Sequence, residues 1–148
     1  MKDKIEILTI SEKEFEVLAG LAKHHNTVDP VGIKCKLKLS QELETANVVK
    51  EEDMPDDVVR MNSIIDVMTP FGRKANLRLV LPGKADFQKG RLSIMSPIGT
   101  AVIGHRLGDK VLWHFPKGDE LITIESLDNS QRAKFEKEEQ KEKEEEEV

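Results

Sequence analysis

Leu92–Trp113 reads LSIMSPIGTAVIGHRLGDKVLW, and this stretch switches between strand and helix signals more than once. Arg91 to Met95 offers a strand. Ser96-Pro97 then supplies an N-cap hydroxyl followed by a proline at the first helical position, where its missing N–H costs nothing. Pro97 to Ile103 is accordingly expected as a short buried helix, with Gly104 as its stop. Gly108 marks a tight turn, and Val111 to Phe115 returns to strand. One short helix set among strands argues for an α+β domain with a mainly antiparallel sheet.

Downstream, Leu121 to Leu127 closes a hairpin with Val111–Phe115 around Pro116-Lys117-Gly118-Asp119. Upstream, the Lys89-Gly90 turn leads back to the alternating Ala75, Leu77, Leu79 and Leu81. The Thr69-Pro70-Phe71-Gly72 turn joins that strand to another built from Val59, Met61 and Ile65 to Val67. Before it, Lys50 to Asp57 reads KEEDMPDD, a charged, proline-containing connector that makes a natural boundary. The expected division is residues 1–50, residues 51–128 and a tail at 129–148.

In the first part, the β-prone run Ile5 to Ile10 (IEILTI) meets Ser11-Glu12-Lys13-Glu14, which has the spacing of a capping box. Ile10 and Phe15 stand at the two positions of a hydrophobic staple, so three signals mark one helix start. Phe15, Leu18, Ala19 and Ala22 continue it at helical spacing to about His25. His24 to Gly32 (HHNTVDPVG) is turn chemistry, with Asp29 as N-cap and Pro30 at the first helical position. Beyond it, Ile33, Cys35, Leu37 and Leu39 alternate like a strand, whereas Cys35, Leu39, Leu43 and Ala46 form a helical stripe. The run SQELETAN from Ser40 to Asn47 favours helix. The expectation is an antiparallel helical hairpin, a short coiled coil with Asp29 at its tip.

The chain has 148 residues, 38% hydrophobic and 34% charged, with a formal net charge of −5. This length excludes a large multi-domain enzyme. The tail holds a charge excess of −3, which leaves a body too near neutrality for sequence-independent nucleic-acid binding to be the default. A protein partner fits better. Cys35 is the sole cysteine, so an internal disulfide is impossible and a thiolate zinc site lacks ligands. A cytoplasmic setting is expected. The first thirty residues contain no apolar leader core, and no run approaches the length of a membrane span.

Conventional catalytic patterns are thin. His24, His25, His105 and His114 form no HExxH, no Cys/His set and no triad motif. Adjacent His24 and His25 near a turn are read as solvated rather than sharing an ion. Gly99, Gly104 and Gly108 serve packing and turns, since no phosphate-loop lysine follows. No cofactor, no metal and no catalytic residue is expected.

Leu92–Trp113 nevertheless resembles the C-terminal signature of the Gre transcript-cleavage factors: strand, Ser-Pro-led helix, Gly-Asp, strand. Glu52 to Ser63, EDMPDDVVRMNS, together with Met95, resembles the Rnk subgroup, regulators of nucleoside diphosphate kinase. The likeness runs from about Ile5 to Leu127. It implies an FKBP-like C-terminal domain and an N-terminal coiled-coil hairpin acting on RNA polymerase. In Gre proteins the domain docks at the rim of the secondary channel while acids at the hairpin tip help hold a metal ion that activates water. The docking segment maps onto Ser96, Pro97, Ile98 and Gly99; where Gre factors often carry an acid or Asn before that Ser, this chain has Met95.

A cleavage factor needs clustered carboxylates, because one ligand binds a divalent ion weakly. Between His24 and Gly32 only Asp29 is acidic. Ser11 to His24 spans only about 21 Å of helix, short beside Gre hairpins. The expectation is therefore a polymerase-binding regulator that occupies the channel entrance without stimulating cleavage, with no membrane partner and no sequence-specific nucleic-acid binding. The alternatives are an active cleavage factor and an FKBP-like peptidyl-prolyl isomerase, whose pocket would have to come from Phe71, Phe87, Trp113 and Phe115. Any effect on nucleoside diphosphate kinase levels is expected to be indirect. The tail, QRAKFEKEEQKEKEEEEV from Gln131, departs from the Rnk pattern and is read as solvated and partly frayed, with an acidic mimic as the alternative.

Overall fold

The structure, a computed structural model, describes residues 7–115 and 118–146, apart from the side chains of His114, Phe115 and Glu146. Ile5 and Glu6 of the first expected strand and Pro116-Lys117 of the last expected turn lie outside the described residues. The elements run β1 (Thr9–Ser11), α1 (Glu12–His24), α2 (Pro30–Glu44), β2 (Asn47–Val49), β3 (Ile64–Thr69), β4 (Gly72–Val80), β5 (Arg91–Ser93), α3 (Pro97–Val102), β6 (Lys110–Phe115), β7 (Gly118–Asp128) and α4 (Arg132–Glu146). The five longer-range strands form one sheet in the order β5-β4-β3-β7-β6. Its pairings are antiparallel except β4 with β5, which is parallel. The fold is a mixed α+β arrangement.

Local chemistry starts α1 where the capping box predicts. The Ser11 hydroxyl accepts from the Glu14 N–H at 3.1 Å, and Ile10 is buried in the core cluster with Phe15 packed against it. Residues 25–29 turn the chain, and α2 follows with Asp29 at the N-cap position. Leu18 and Ala22 from α1, and Cys35, Leu39 and Leu43 from α2, join Ile65, Leu79, Trp113 and Ile122 of the sheet in one buried cluster. The two helices are thus mounted on the sheet by their own apolar stripes.

Three expectations need correction. The helix through Ser40–Asn47 stops at Glu44, and Asn47–Val49 pairs parallel with β1; Ala46 and Asn47 are recruited by backbone bonds to Leu43 and Leu8. Val59 and Met61 do not join β3, because Asn62 takes a left-handed backbone (φ 69°) and the Arg60 N–H bonds the Ser63 hydroxyl at 2.7 Å, closing a tight turn. The tail is a helix, α4, laid against β4 rather than frayed. Arg78 of β4 stacks its guanidinium over the Phe135 ring, 3.7 Å from the centroid, and also meets Glu139 at 3.3 Å. One aromatic and the ion pairs Arg78–Glu139 and Lys84–Glu142 supply what the missing apolar stripe does not.

Candidate functional site

α3 is set up by the four residues expected to dock. The Ser96 hydroxyl accepts from the Gly99 N–H at 3.0 Å, and the Ser96 carbonyl accepts from Thr100 N and Oγ1. Gly99 is forced: a Cβ there would lie 2.3 Å from the Ser93 carbonyl oxygen and 2.8 Å from the Ile94 Cα. Glycine therefore lets α3 touch the end of β5. Ser96, Pro97 and Ile98 are half-buried, so together they carry what outward surface the segment has. Met95, just before Ser96, is 6% exposed and belongs to the core.

One face of α2 lies along α3 and β6. Cys35 is completely buried and lies close to Thr100 of α3. Burial pushes its thiol above the ordinary pKa, only partly opposed by Thr100 and Lys38. Three residues on, the Lys38 ammonium sits 5.5 Å from the Trp113 ring centroid and bonds Glu42 at 2.6 Å. Glu42 in turn stands 3.6 Å from buried His105, which also lies 3.7 Å from Asp109. His105 thus sits in this seam between α2 and the β6 approach.

Asp29 is exposed and makes no side-chain cap bond; its N–H donates to Thr27 Oγ1 at 3.3 Å. Among the described residues no group of three His, Cys, Asp or Glu converges. The aromatics named for an isomerase pocket are scattered: Phe71 is 63% exposed, Phe87 82% and Trp113 1%. The side chains of Phe115 and His114 lie outside the described residues.

Sequence reasoning missed the joint that fixes the arm. Glu14 is buried, and its carboxylate accepts from Arg60 Nε, the Met61 N–H and the Ser11 hydroxyl, each at 3.0 Å. Arg60 also meets Glu51 at 2.5 Å, while Arg132 of α4 bonds the Met61 carbonyl at 2.8 Å and lies 3.9 Å from Glu14. Burial alone lowers the Arg60 pKa, but Glu51 and Glu14 more than offset it, so the guanidinium is held above its ordinary value. These groups line a cleft of about 500 Å³, yet they bond one another, which makes the cleft a joint between α1, the body and α4. The capping-box spacing explained Glu14 locally and so concealed its distant partner.

The two motifs of the sequence meet in space. Val58 bridges Arg106, Val59 N donates to the His105 carbonyl at 2.8 Å, and Gly104 N to the Val59 carbonyl at 2.9 Å. The Asp57 carboxylate meets Arg106 at 2.7 Å. Against this geometry, the family described as transcription elongation factor, GreA/GreB, C-terminal, matches residues 54–129. The chain belongs to the GreA/GreB family. The regulator of nucleoside diphosphate kinase of Escherichia coli K12 is 38% identical over 81 residues, covering 54% of this chain and 60% of that protein. Transcription elongation factor GreA of Syntrophus aciditrophicus is 33% identical over 82 residues, 55% of this chain and 51% of that protein. The chain thus matches between about half and three fifths of these relatives' length. A solved GreA/GreB elongation factor from Nitrosomonas europaea superposes with a TM-score of 0.63 at 29% identity, covering 83% of this chain and 98% of that one. The family match begins at Met54, so α1 and α2 lie upstream of it, whereas Arg60, which holds Glu14 of α1, lies within it. No helix among the described residues is long and apolar enough to cross a membrane.

Proposed function

We propose that this GreA/GreB-family chain is an Rnk-like transcription regulator that binds RNA polymerase at the rim of the secondary channel and does not itself stimulate transcript cleavage. In this reading residues 51–128 are an FKBP-like docking domain, with Ser96, Pro97, Ile98 and Gly99 in the docking segment. Residues 1–50 are a short coiled-coil arm with Asp29 at its tip, and residues 129–148 an acidic tail. The setting is the cytoplasm, and the action needs no cofactor.

The observation that carries the proposal is the arm's reach. α1 has 13 residues, about 20 Å of helix. α2 already meets the domain at Cys35, so the segment from Pro30 to Cys35 adds only about 8 Å of helix beyond that contact. A lone exposed carboxylate on such a stub orients a metal ion poorly. A body seated at the entrance would still exclude longer factors, and a change in nucleoside diphosphate kinase would follow indirectly through transcription.

The test uses backtracked polymerase complexes. The expected result is no stimulation of RNA cleavage, and slower cleavage when a longer Gre factor is titrated against this protein. Ser96→Asp should weaken polymerase binding while α3 persists, since Asp is an equally good N-cap. Robust cleavage that depends on Asp29 overturns the non-cleaving reading, and binding indifferent to both Ser96→Asp and Pro97→Ala overturns the docking assignment.

A further inference from the structure

The β5 edge of the sheet carries a cationic groove that the docking proposal leaves unused. It lies between β4, β5 and the turn at Phe87–Lys89, encloses about 460 Å³, and is lined by Arg73, Lys74, Lys89 and Arg91 with no carboxylate among its lining residues. Arg73 is neutralised by Asp66 at 2.7 Å and Glu125 at 3.3 Å. Lys74, Lys89 and Arg91 form no ion pair among the described residues. Phe87 stands over this groove 82% exposed, an aromatic face that no packing requirement explains.

The same cationic surface continues past Arg91 to Arg78 and Lys84, where it is already occupied. Arg78, Lys84 and Arg91 share a narrow cleft with Glu138, Glu139 and Glu142 of α4. Glu139 pairs with Arg78 and Glu142 with Lys84, each at 3.3 Å, and the Phe135 ring lies under Arg78. The chain's own helix thus presents to this surface a line of negative charges and one flat ring. A single-stranded nucleic acid offers the same pattern, phosphates at regular spacing and bases that stack.

We infer that the β4–β5 face is a binding surface for single-stranded nucleic acid, read by charge and stacking without sequence preference, and that α4 competes for part of it. Lys74, Lys89 and Arg91 take the phosphates, and Phe87 takes a base. The near-neutral body predicts weak, salt-sensitive binding, because only this local cluster releases counterions. Three phosphate contacts give a slope of log affinity against log salt near about −2.

The experiment is fluorescence anisotropy of a labelled twelve-nucleotide uridine oligomer with the full chain at about 50 mM and about 200 mM salt. Emission from buried Trp113 reports that each variant remains folded. The full chain should bind, and Glu138→Gln/Glu139→Gln/Glu142→Gln should tighten binding several-fold by releasing the competing charge. Phe87→Ala should weaken it on the order of tenfold, and Lys89→Ala/Arg91→Ala should weaken it further and flatten the salt slope. Absence of binding by both the full chain and the triple glutamine variant overturns the inference, as does binding that survives Lys89→Ala/Arg91→Ala. A polyglutamate peptide that competes as well as the oligomer, with Phe87→Ala without effect, overturns it in favour of an acidic protein segment.

Discussion

The joint at Glu14 makes a quantitative claim about what holds the arm at its angle. Replacing Glu14 with Met keeps the side-chain volume close but removes the carboxylate that accepts from Arg60, Met61 and Ser11. Arg60, 6% exposed, is then left with Glu51, whose side chain is 60% exposed and whose pairing is weakened by solvent. Removing one partner of a buried, hydrogen-bonded pair costs about 3–5 kcal/mol. In a chain of this length each kcal/mol shifts the melting temperature by about 2–4 °C, so a fall of about 6–20 °C is expected. Loss of an ordinary cap would cost only about 1 kcal/mol, which separates the two explanations of Glu14.

Trp113, the sole tryptophan and almost fully buried, reports urea unfolding of the body. The decisive comparison is a double-mutant cycle with Arg60→Met. If Glu14 and Arg60 act as a pair, the double variant should recover about 1–3 kcal/mol over the sum of the single losses, because the uncompensated charge is gone. A Glu14→Met loss under about 1 kcal/mol, or strict additivity, would refute the claim that this pair anchors the arm.

Other consequences follow from single contacts. Cys35 lies between α2 and α3 with its pKa raised by burial, so a thiol reagent at pH 8 should modify the native chain at least about 100-fold more slowly than the urea-unfolded chain; Glu14→Met should raise the native rate by loosening the arm. Gly99→Ala should cost about 1–3 kcal/mol in urea unfolding, since the new methyl meets the Ser93 carbonyl at 2.3 Å, and an unchanged midpoint would mean α3 is not pressed on β5. The Asp66 carboxyl is held below its ordinary pKa chiefly by the Asn76 N–H, with Ser126 and Arg73 adding to it. A depressed folded-state pKa contributes stability that is complete above the unfolded value near about 4 and is lost as pH falls through the lower folded value. Asp66→Asn should therefore blunt the acid side of the stability profile, measured as urea midpoints from about pH 5 down to about pH 3.

What the sequence disclosed and what it hid divide along one physical line. Ser96-Pro97 with Gly104, and Ser11 with Glu14, were legible because a cap is made by residues within one turn of each other. The Thr69–Gly72 turn was legible for the same reason: the Thr69 hydroxyl serves both Phe71 N and the Gly72 carbonyl. β2 was not legible, since Asn47–Val49 is extended by its bonds to β1 and not by an alternating pattern. The end of the expected strand at Asn62 is likewise imposed from outside, with Asn62 N bonded to the Leu79 carbonyl at 2.8 Å. In α4 the docking signal was a lone Phe135 whose partner, a cation on β4, lies far away in the chain. Charge pairs across such distances carry no periodicity, so neither Glu14–Arg60 nor Arg78–Glu139 announced itself.

The same distinction explains why the family likeness was more specific than any local reading. Glu52–Ser63 and Leu92–Trp113 are separate in sequence, but backbone bonds between residues 57–59 and 104–107 zip them into one strip. Arg60, at the end of that strip, holds Glu14 at the root of the arm. Gly104 leads back through α3 to Ser96, and its own carbonyl accepts from Thr9 N at 3.1 Å, just ahead of α1. A Cβ on Gly104 would meet the Leu8 Cβ at 2.9 Å, and its backbone sits at φ 80°, so the crossing leaves no room for another residue there. The segment proposed to dock and the residue that orients the arm are thus fixed to one element. In this proposal the surface that meets polymerase also sets where the arm points, and a change confined to that strip alters docking and reach together.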